Sequence, residues 1–484
     1  MQWEKLLSTQ KLFDEPDEPE VFSKYPINEF EKDYNRIISS AAFRRLQDKT
    51  QVFPLDKSDF VRTRLTHSIE TSTIARQLGI MVAQNNTKYL PADIRKEDSE
   101  GIPSVLLCAG LLHDLGNPPF GHFGETVIGD WFKENLIKVQ YKDKPIKEWM
   151  SQQMIADLEN FEGNAQALRI VLKAKYNSEI NLSAGIISTL VKYPTSSLSF
   201  ERKHPDIKKH KPGYFFSEEK EFLHVSEIVG TKECTGEIYR HPLTFLLEAA
   251  DDIAYATADL EDAFKKGLFT LDEFITYFND SYDHDRVIPH QSPEYYSCDL
   301  LKSLIELKDC NKNVMKKNRD ESKIFSTWLN YTRRWLMYVA VYRFSKSYQA
   351  IMDGTYEDDL FKETNHSLTI DILKGAMGEF AYNTANILKL ELSAQTILSF
   401  LLDKFIPAVL HYDDEGRVNG LKMSKADKKY ISLLSSNYRQ DYDKRKTGDE
   451  SLNIYLKLRM VIDYISGMTD SYARTLYREL SGIE

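Results

Sequence analysis

The sequence predicts an all-α protein. Three observations carry this. Apolar residues recur at helical spacing through 66–84, 104–116 and 242–264. Strand signals are few, the clearest being the short segment 221–230. Gly and Pro, the strongest local breakers, number only 21 and 16 in 484 residues.

Residues 66–84, THSIETSTIARQLGIMVAQ, set Ile69, Ile74, Leu78 and Met81 five, four and three apart, and Thr66 stands where an N-cap is wanted. Ser104 precedes VLLCAGLLHDL and Gly116 follows it. That reads as an N-cap, a buried helix and a glycine C-cap. Asn117-Pro118-Pro119 then breaks the helix. The clearest helix is 242–264. Leu246, Ala250, Ile253, Thr257, Leu260 and Phe264 follow at four, three, four, three and four, and Pro242 suits the first turn. Asp251, Tyr255 and Asp259 recur at i, i+4, i+8 on another face of the same helix. One face packs while another presents polar groups.

EFLHVSEIVG, 221–230, reads as a strand. The polar stretches 202–213 and 307–321 read as loops or insertions, and the last third is helical in character, with charged segments at 422–429 and 441–450. No fixed-period repeat or clean linker breaks the chain, so one large α-helical body is expected.

Composition bounds the function. Hydrophobic residues at 42% and charged residues at 28% are ordinary for a globular chain, long enough to bury a substantial core. The net charge of -10 argues against a protein dedicated to coating nucleic acid. An acidic protein that handles anions must recruit positive charge locally, from Arg, Lys or a metal. The cysteines Cys108, Cys234, Cys298 and Cys310 form no CxxC pair and no disulfide framework, which fits a reducing compartment. MQWEKLLSTQ has no signal-peptide apolar region, and the longest apolar runs fall far short of the roughly 18 residues that span a bilayer. A cytoplasmic chain with no membrane partner is expected.

The sharpest chemical feature is His113-Asp114, at the end of an apolar helix. Burying an imidazole and a carboxylate there is costly unless each has a strong partner. A divalent metal is one such partner; a carbonyl for the His and a helix to cap for the Asp are another. His67 in RTRLTHSIE and Asp251 on the polar stripe add a second imidazole and a second carboxylate, each on its own helix. Helices of a bundle can point all four residues into one core site. Such mixed N/O ligation suits Mn, Mg, Ni, Co, Fe or Zn.

A second cluster follows in DLGNPPFGHFGE, 114–125. Gly121 and Gly124 flank His122, and Glu125 lies three residues on. If a helix starts there, the two share a face, and a carboxylate-oriented His serves as general acid or base or as nucleophile. The alternative is a loop histidine satisfied by local backbone.

RLTHSIE, LLHDLGNPPFGHFGE, NFEGNAQALRI and EAADDIAYATADLEDAF, in that order, resemble the deoxyguanosine triphosphate triphosphohydrolases of the HD superfamily. RIISSAAFRRLQDKTQVFPL, KPGYFFSEE and YISGMTDSYARTLYREL extend the resemblance from about residue 35 to about 480, more weakly around 130–155 and 270–440. It implies an HD-domain helical bundle with a large C-terminal helical elaboration and little strand. Residues 1–35 would be an N-terminal extension, 36–270 the phosphohydrolase core, and 271–484 a helical region that completes the nucleotide pocket and oligomer contacts.

The resemblance also assigns roles. His67, His113, Asp114 and Asp251 match the metal set, with Asp251 rather than Asp252 at the ligand position. His122 and Glu125 match the catalytic pair. Arg64, Lys192 and Tyr193 match phosphate contacts, and Gln51, Asn164, Tyr255 and Asp259 match sugar and base positions. Arg439 in NYRQDY matches a base-contacting arginine. The implied reaction is cleavage of dGTP at the α-phosphorus, releasing deoxyguanosine and triphosphate, by a metal-dependent homo-oligomer such as a hexamer. The alternatives are an HD phosphohydrolase of broader dNTP or other nucleotide specificity, and a nucleotide- or DNA-binding regulator. The basic runs 208–211, 316–319 and 444–446 read as solvated faces, or as sites for single-stranded DNA or a regulatory nucleotide.

Overall fold

The computed structural model describes residues 1–484 except 14–26, 54–57, 85–95, 174–179, 282–298, 315–319, 363–364, 383, 413–416, 419–420 and 484. The fold is all-α. Among the described residues, the strands are two antiparallel pairs of two-residue strands, 140–141 with 144–145 and 417–418 with 421–422.

Eight helices build the body around the site: α1 (Arg64–Ala83), α2 (Lys96–Leu112), α3 (Gly121–Asn135), α4 (Gly163–Leu172), α5 (Pro242–Lys265), α6 (Glu321–Lys346), α7 (Ala385–Leu410) and α8 (Glu450–Ser466). Helices α1 and α2 pack along their length. Glycine permits the closeness: a Cβ on Gly110 would sit 2.5 Å from Ser72 Cα, and one on Gly79 would sit 3.0 Å from Pro103 Cα.

Three apolar cores result. The first gathers α1, α2, α4, the first half of α5 and the second half of α6. The second joins α3 to α7 and α8, so segments 120–165 and 394–476 share one interior. The third is formed by the remaining halves of α5 and α6 with residues 269–278 and 372–387. One helix segment, Ile387–Leu410, is long and apolar enough to cross a membrane, but half of it is buried within this protein, where it forms a wall of the second core.

Several local expectations are corrected. Residues 219–229 form a helix, not a strand; Phe222, Val225, Ser226 and Val229 are buried at helical spacing, and Gly230 ends it at φ 72°. Helix α2 starts well before Ser104, which lies inside it with its hydroxyl on Glu100 O at 3.1 Å. Its start was obscured by Pro103, an interior residue of the helix. Gly116 is no C-cap, since α2 ends at Leu112; a Cβ there would fall 2.1 Å from Gly163 O, so it marks where the turn after α2 meets α4. Thr63, not Thr66, caps α1, with Thr66 completing a capping box. The stretch 307–321 is helical through Val314.

Candidate active site

The capping box fixes the first turn of α1 and so the directions of Arg64 and His67, one turn apart. His113 and Asp114 occupy the turn beyond α2, closed by Leu115 N to Leu112 O at 2.9 Å and Asn117 N to Asp114 O at 3.2 Å. Pro242 at N1 starts α5, and its second to fourth turns carry Glu248, Asp251, Asp252 and Tyr255 to the same place.

His67, His113 and Asp251 converge, with one ligand atom from each all within 4.8 Å of one another. His113 Nδ1 donates to Gly110 O at 2.8 Å, which leaves a lone pair on Nε2. That Nε2 is buried, has no hydrogen-bond partner, and lies 3.3 Å from Asp251 Oδ1. His67 Nε2 lies 3.3 Å from the same oxygen. With Nδ1 of His113 committed to Gly110 O, its Nε2 lone pair and the Asp251 oxygen face each other at 3.3 Å, and imidazole nitrogen with carboxylate oxygen is a suitable donor set for a divalent metal. The residues therefore fit a metal ion.

Neighbouring charges tune this nest. Burial works against the Asp251 carboxylate, but Lys192, whose Nζ donates to Oδ2 at 2.6 Å, and His113 hold its pKa well below the usual range. His113 is raised, because Asp114 and Asp251 outweigh the cost of burial. Asp114 stands slightly aside. Its Oδ2 accepts from Arg64 Nη1 at 2.6 Å and its Oδ1 from Asn117 Nδ2 at 2.5 Å, with Oδ1 3.6 Å from His113 Nε2. Asp251 and not Asp252 faces the imidazoles; Asp252 accepts from Lys374 at 2.6 Å.

His122 stands at the start of α3, which a left-handed turn at Phe120 (φ 65°) and Gly121 (φ 62°) launches. Its Nδ1 is 2.8 Å from Glu125 Oε2, while Glu125 Oε1 accepts from Gly163 N at 2.9 Å. The imidazole is 71% exposed and Glu125 is buried beneath it. Glu125 raises the His122 pKa; His122 in turn lowers that of Glu125 against the effect of burial.

One cleft of about 460 Å³, a size ordinary for a small-molecule site, takes in both groups. Gln51, Arg64, Asn164, Lys192, Tyr193 and Tyr255 line it. Gln51 Oε1 is buried without a partner, and Asn164 donates to Glu162 at 2.7 Å. The Tyr255 hydroxyl bonds that of Tyr382. Asp259 is not on the wall; it is buried one turn beyond Tyr255 with both oxygens unpartnered, and burial raises its pKa well above the usual range. Arg439 is not brought to the cleft either. It sits on the helix Ser436–Arg445, packed against α8, and its neighbour Tyr438 lines a different cavity.

Sequence reasoning missed Lys211, Glu248, Lys374, Tyr382 and Glu391 on the cleft wall. Lys211 had a signal, since it opens KPGYFFSEE, but it was read within the basic run 208–211. Its Nζ bonds Glu162 at 3.1 Å. Run 444–446 is not wholly solvated, because Arg445 turns inward onto Ser217 O at 2.5 Å. Run 316–319 lies outside the described residues.

The sequence matches known families. The HD domain family matches residues 64–188, and the phosphohydrolase-associated domain matches 363–479. A deoxyguanosinetriphosphate triphosphohydrolase-like protein of Listeria monocytogenes is 43% identical over 460 residues, 94% of each chain. Deoxyguanosinetriphosphate triphosphohydrolases of Salmonella arizonae and Enterobacter sp. are 31% and 29% identical over 494 and 497 residues, again 94% of each chain. The HD match carries His67, His113 and Asp114, the second match carries Lys374, Tyr382 and Glu391 of the cleft wall, and Asp251 lies between the two. The chain belongs to the deoxyguanosinetriphosphate triphosphohydrolase family of the HD superfamily.

Proposed function

We propose that this protein hydrolyses dGTP at the α-phosphorus, releasing deoxyguanosine and inorganic triphosphate. The observation that carries the reading is the meeting, in one cleft, of the His67, His113 and Asp251 acceptors with the His122–Glu125 pair. His67, His113, Asp251 and Asp114 would hold the divalent metal, Mn or Mg before Ni, Co, Fe or Zn. When bound, it would polarise a phosphoryl oxygen.

Water attacks the α-phosphorus and the bond from phosphorus to the 5′ oxygen breaks. The triphosphate keeps the water's oxygen, and the 5′ oxygen leaves with a proton as deoxyguanosine. Glu125 fixes the Nδ1 side of His122, and its negative charge favours the protonated ring. His122 thus delivers a proton to the departing oxygen. Arg64, Lys192, Lys211 and Tyr193 bind the phosphates, placing fixed positive charge where negative charge grows. Tyr255 packs against the ribose with Asp259 behind it, and Gln51 and Asn164 meet sugar and base. Arg439 takes part only if another copy of the chain presents it, consistent with a homo-oligomer, hexameric in this reading. Residues 271–484 complete the pocket, a reading supported by Lys374 and Tyr382 on its wall. The setting is cytoplasmic.

Ion-exchange separation of the products of dGTP with Mn²⁺ or Mg²⁺ tests the reading. Deoxyguanosine plus triphosphate is expected. A second reading, broader dNTP specificity, follows from the absence of Arg439 from the cleft wall; comparable kcat/KM for dATP and dGTP would favour it.

A further inference from the structure

One carboxylate oxygen joins two residues of the cleft wall. Glu162 Oε1 accepts from Asn164 Nδ2 at 2.7 Å and from Lys211 Nζ at 3.1 Å. Asn164 and Lys211 both line the cleft. The function proposed above gives the first to the sugar and base and the second to the phosphates. Glu162 itself touches neither His122 nor the metal ligands through any bond described here; its side chain serves these two neighbours.

Glu162 occupies the N-cap position of α4 and is buried. A residue there ordinarily turns its side chain onto an amide of the first turn. Glu162 makes no such bond, and the Gly163 amide goes instead to Glu125 Oε1 at 2.9 Å. The start of α4 therefore carries two carboxylates, whose charge its partial positive end favours. Glu125 faces His122, and Glu162 faces Lys211 and Asn164. Burial and the nearby Glu125 charge still raise the Glu162 pKa. The side chain thus adds no cap bond to the helix and is unfavourable to bury, while both its contacts lie on the cleft.

Lys211 is fixed at its base. Gly213 N donates to Thr195 O at 2.9 Å, and a Cβ on Gly213 would fall 1.6 Å from Tyr193 O, so the backbone beside Lys211 lies flat on the 193–195 segment. The four-carbon stem is flexible, and its tip is set by the charges around it. Those are Glu162, which takes one of the three N–H bonds, and Glu125. With Glu162 removed, Glu125 becomes the carboxylate that draws the ammonium, in competition with His122.

We propose that Glu162 is a positioning residue for the reaction: by holding the Lys211 ammonium and the Asn164 amide on one oxygen, it sets the spacing between phosphate and nucleoside contacts and so where the α-phosphorus falls against His122. This rests on the function proposed above and deepens it. A misplacement of the order of 1 Å at the reacting centre is enough to cost about 10²-fold in rate.

A double-mutant cycle on the full-length protein, read as dGTP turnover, tests this. Glu162→Gln keeps an acceptor for Asn164 but takes the charge from the bond to Lys211. Its kcat should fall by about tenfold while KM changes by less than about threefold, because the ammonium still binds phosphate. Glu162→Ala loses both contacts, and its kcat should fall by about 10²-fold, so the glutamine restores part of the rate. In a Lys211→Gln background, Glu162→Gln should cost less than about threefold. A second readout needs no turnover: acetylation of Lys211 by acetic anhydride, followed by peptide mass spectrometry, should be about tenfold faster in Glu162→Gln, as for a lysine pKa lowered by about one unit. Additive losses in the cycle, or an unchanged acetylation rate, would overturn the proposal. Wild-type products other than deoxyguanosine and triphosphate would instead overturn the function, and the cycle would still be read on that turnover.

Discussion

Glu125 holds His122 Nδ1 at 2.8 Å with one oxygen and the Gly163 amide at 2.9 Å with the other. The histidine is thereby fixed to α4, not merely to its own helix, and its free nitrogen is turned to the cleft. The carboxylate also raises the His122 pKa above the ordinary imidazole value of 6.5.

The pH profile follows from that contact. As a proton donor, His122 is active below its raised pKa, so kcat declines as pH rises through it. Glu125→Gln removes the charge that raises the pKa, so the alkaline limb should move to lower pH, with kcat down by about 10²–10⁴. Steady-state kinetics from pH 6 to 9 check both. An unshifted limb would assign the titration to another group.

His113→Ala removes one of the converging acceptors. Metal affinity should fall, and turnover should drop by about 10³-fold, the scale of several kcal/mol of charge stabilisation. Metal content by plasma mass spectrometry and rates at saturating Mn²⁺ are the measurements. A variant that keeps both metal and rate would remove His113 from the site.

Tyr255, bonded to Tyr382, forms part of the cleft wall on α5. If its ring leaves no room for a 2′-hydroxyl, Tyr255→Ala should lower the ratio of kcat/KM for dGTP over GTP by about tenfold or more. An unchanged ratio would refute this role.

His241 gives a stability prediction away from the cleft. It caps α5 with Nδ1, which accepts from Leu243 N at 3.1 Å, and its Nε2 donates to Leu6 O at 3.0 Å. Burial lowers its pKa from 6.5 to about 4, so the folded state prefers the neutral ring. The unfolded chain binds more protons in this window. Stability is therefore full above about pH 6.5 and is lost as pH falls towards 4, by about 3 kcal/mol in all. His241→Asn keeps a capping oxygen without the titration. Its Tm should depend less on pH between 6.5 and 4 than that of the wild type; parallel slopes would contradict the assignment.

The long helices were legible because burial follows spacing. Helix α5 runs Pro242–Lys265, as its apolar recurrence at three and four requires, with Asp251 and Tyr255 of the polar stripe on the cleft. The segment 219–229 was misread because eleven residues carry little periodic signal and Val and Ile favour either state. His67, His113, His122 and Glu125 were visible because their motifs are local. Lys374 and Tyr382 were not: each reaches α5 from more than 100 residues away, and nothing near them in sequence marks a pocket. Lys211 was hidden because its neighbouring lysines read as a solvated run, although the structure half-buries them. Arg439 is not on this chain's cleft wall, and a short local match says nothing about which cavity its helix faces.

The most direct test of the central claim is ³¹P NMR and mass analysis of dGTP turnover in H₂¹⁸O. Cleavage at the α-phosphorus predicts unlabelled deoxyguanosine and a triphosphate carrying one ¹⁸O. Formation of dGMP with pyrophosphate, of dGDP with phosphate, or of labelled deoxyguanosine would contradict it.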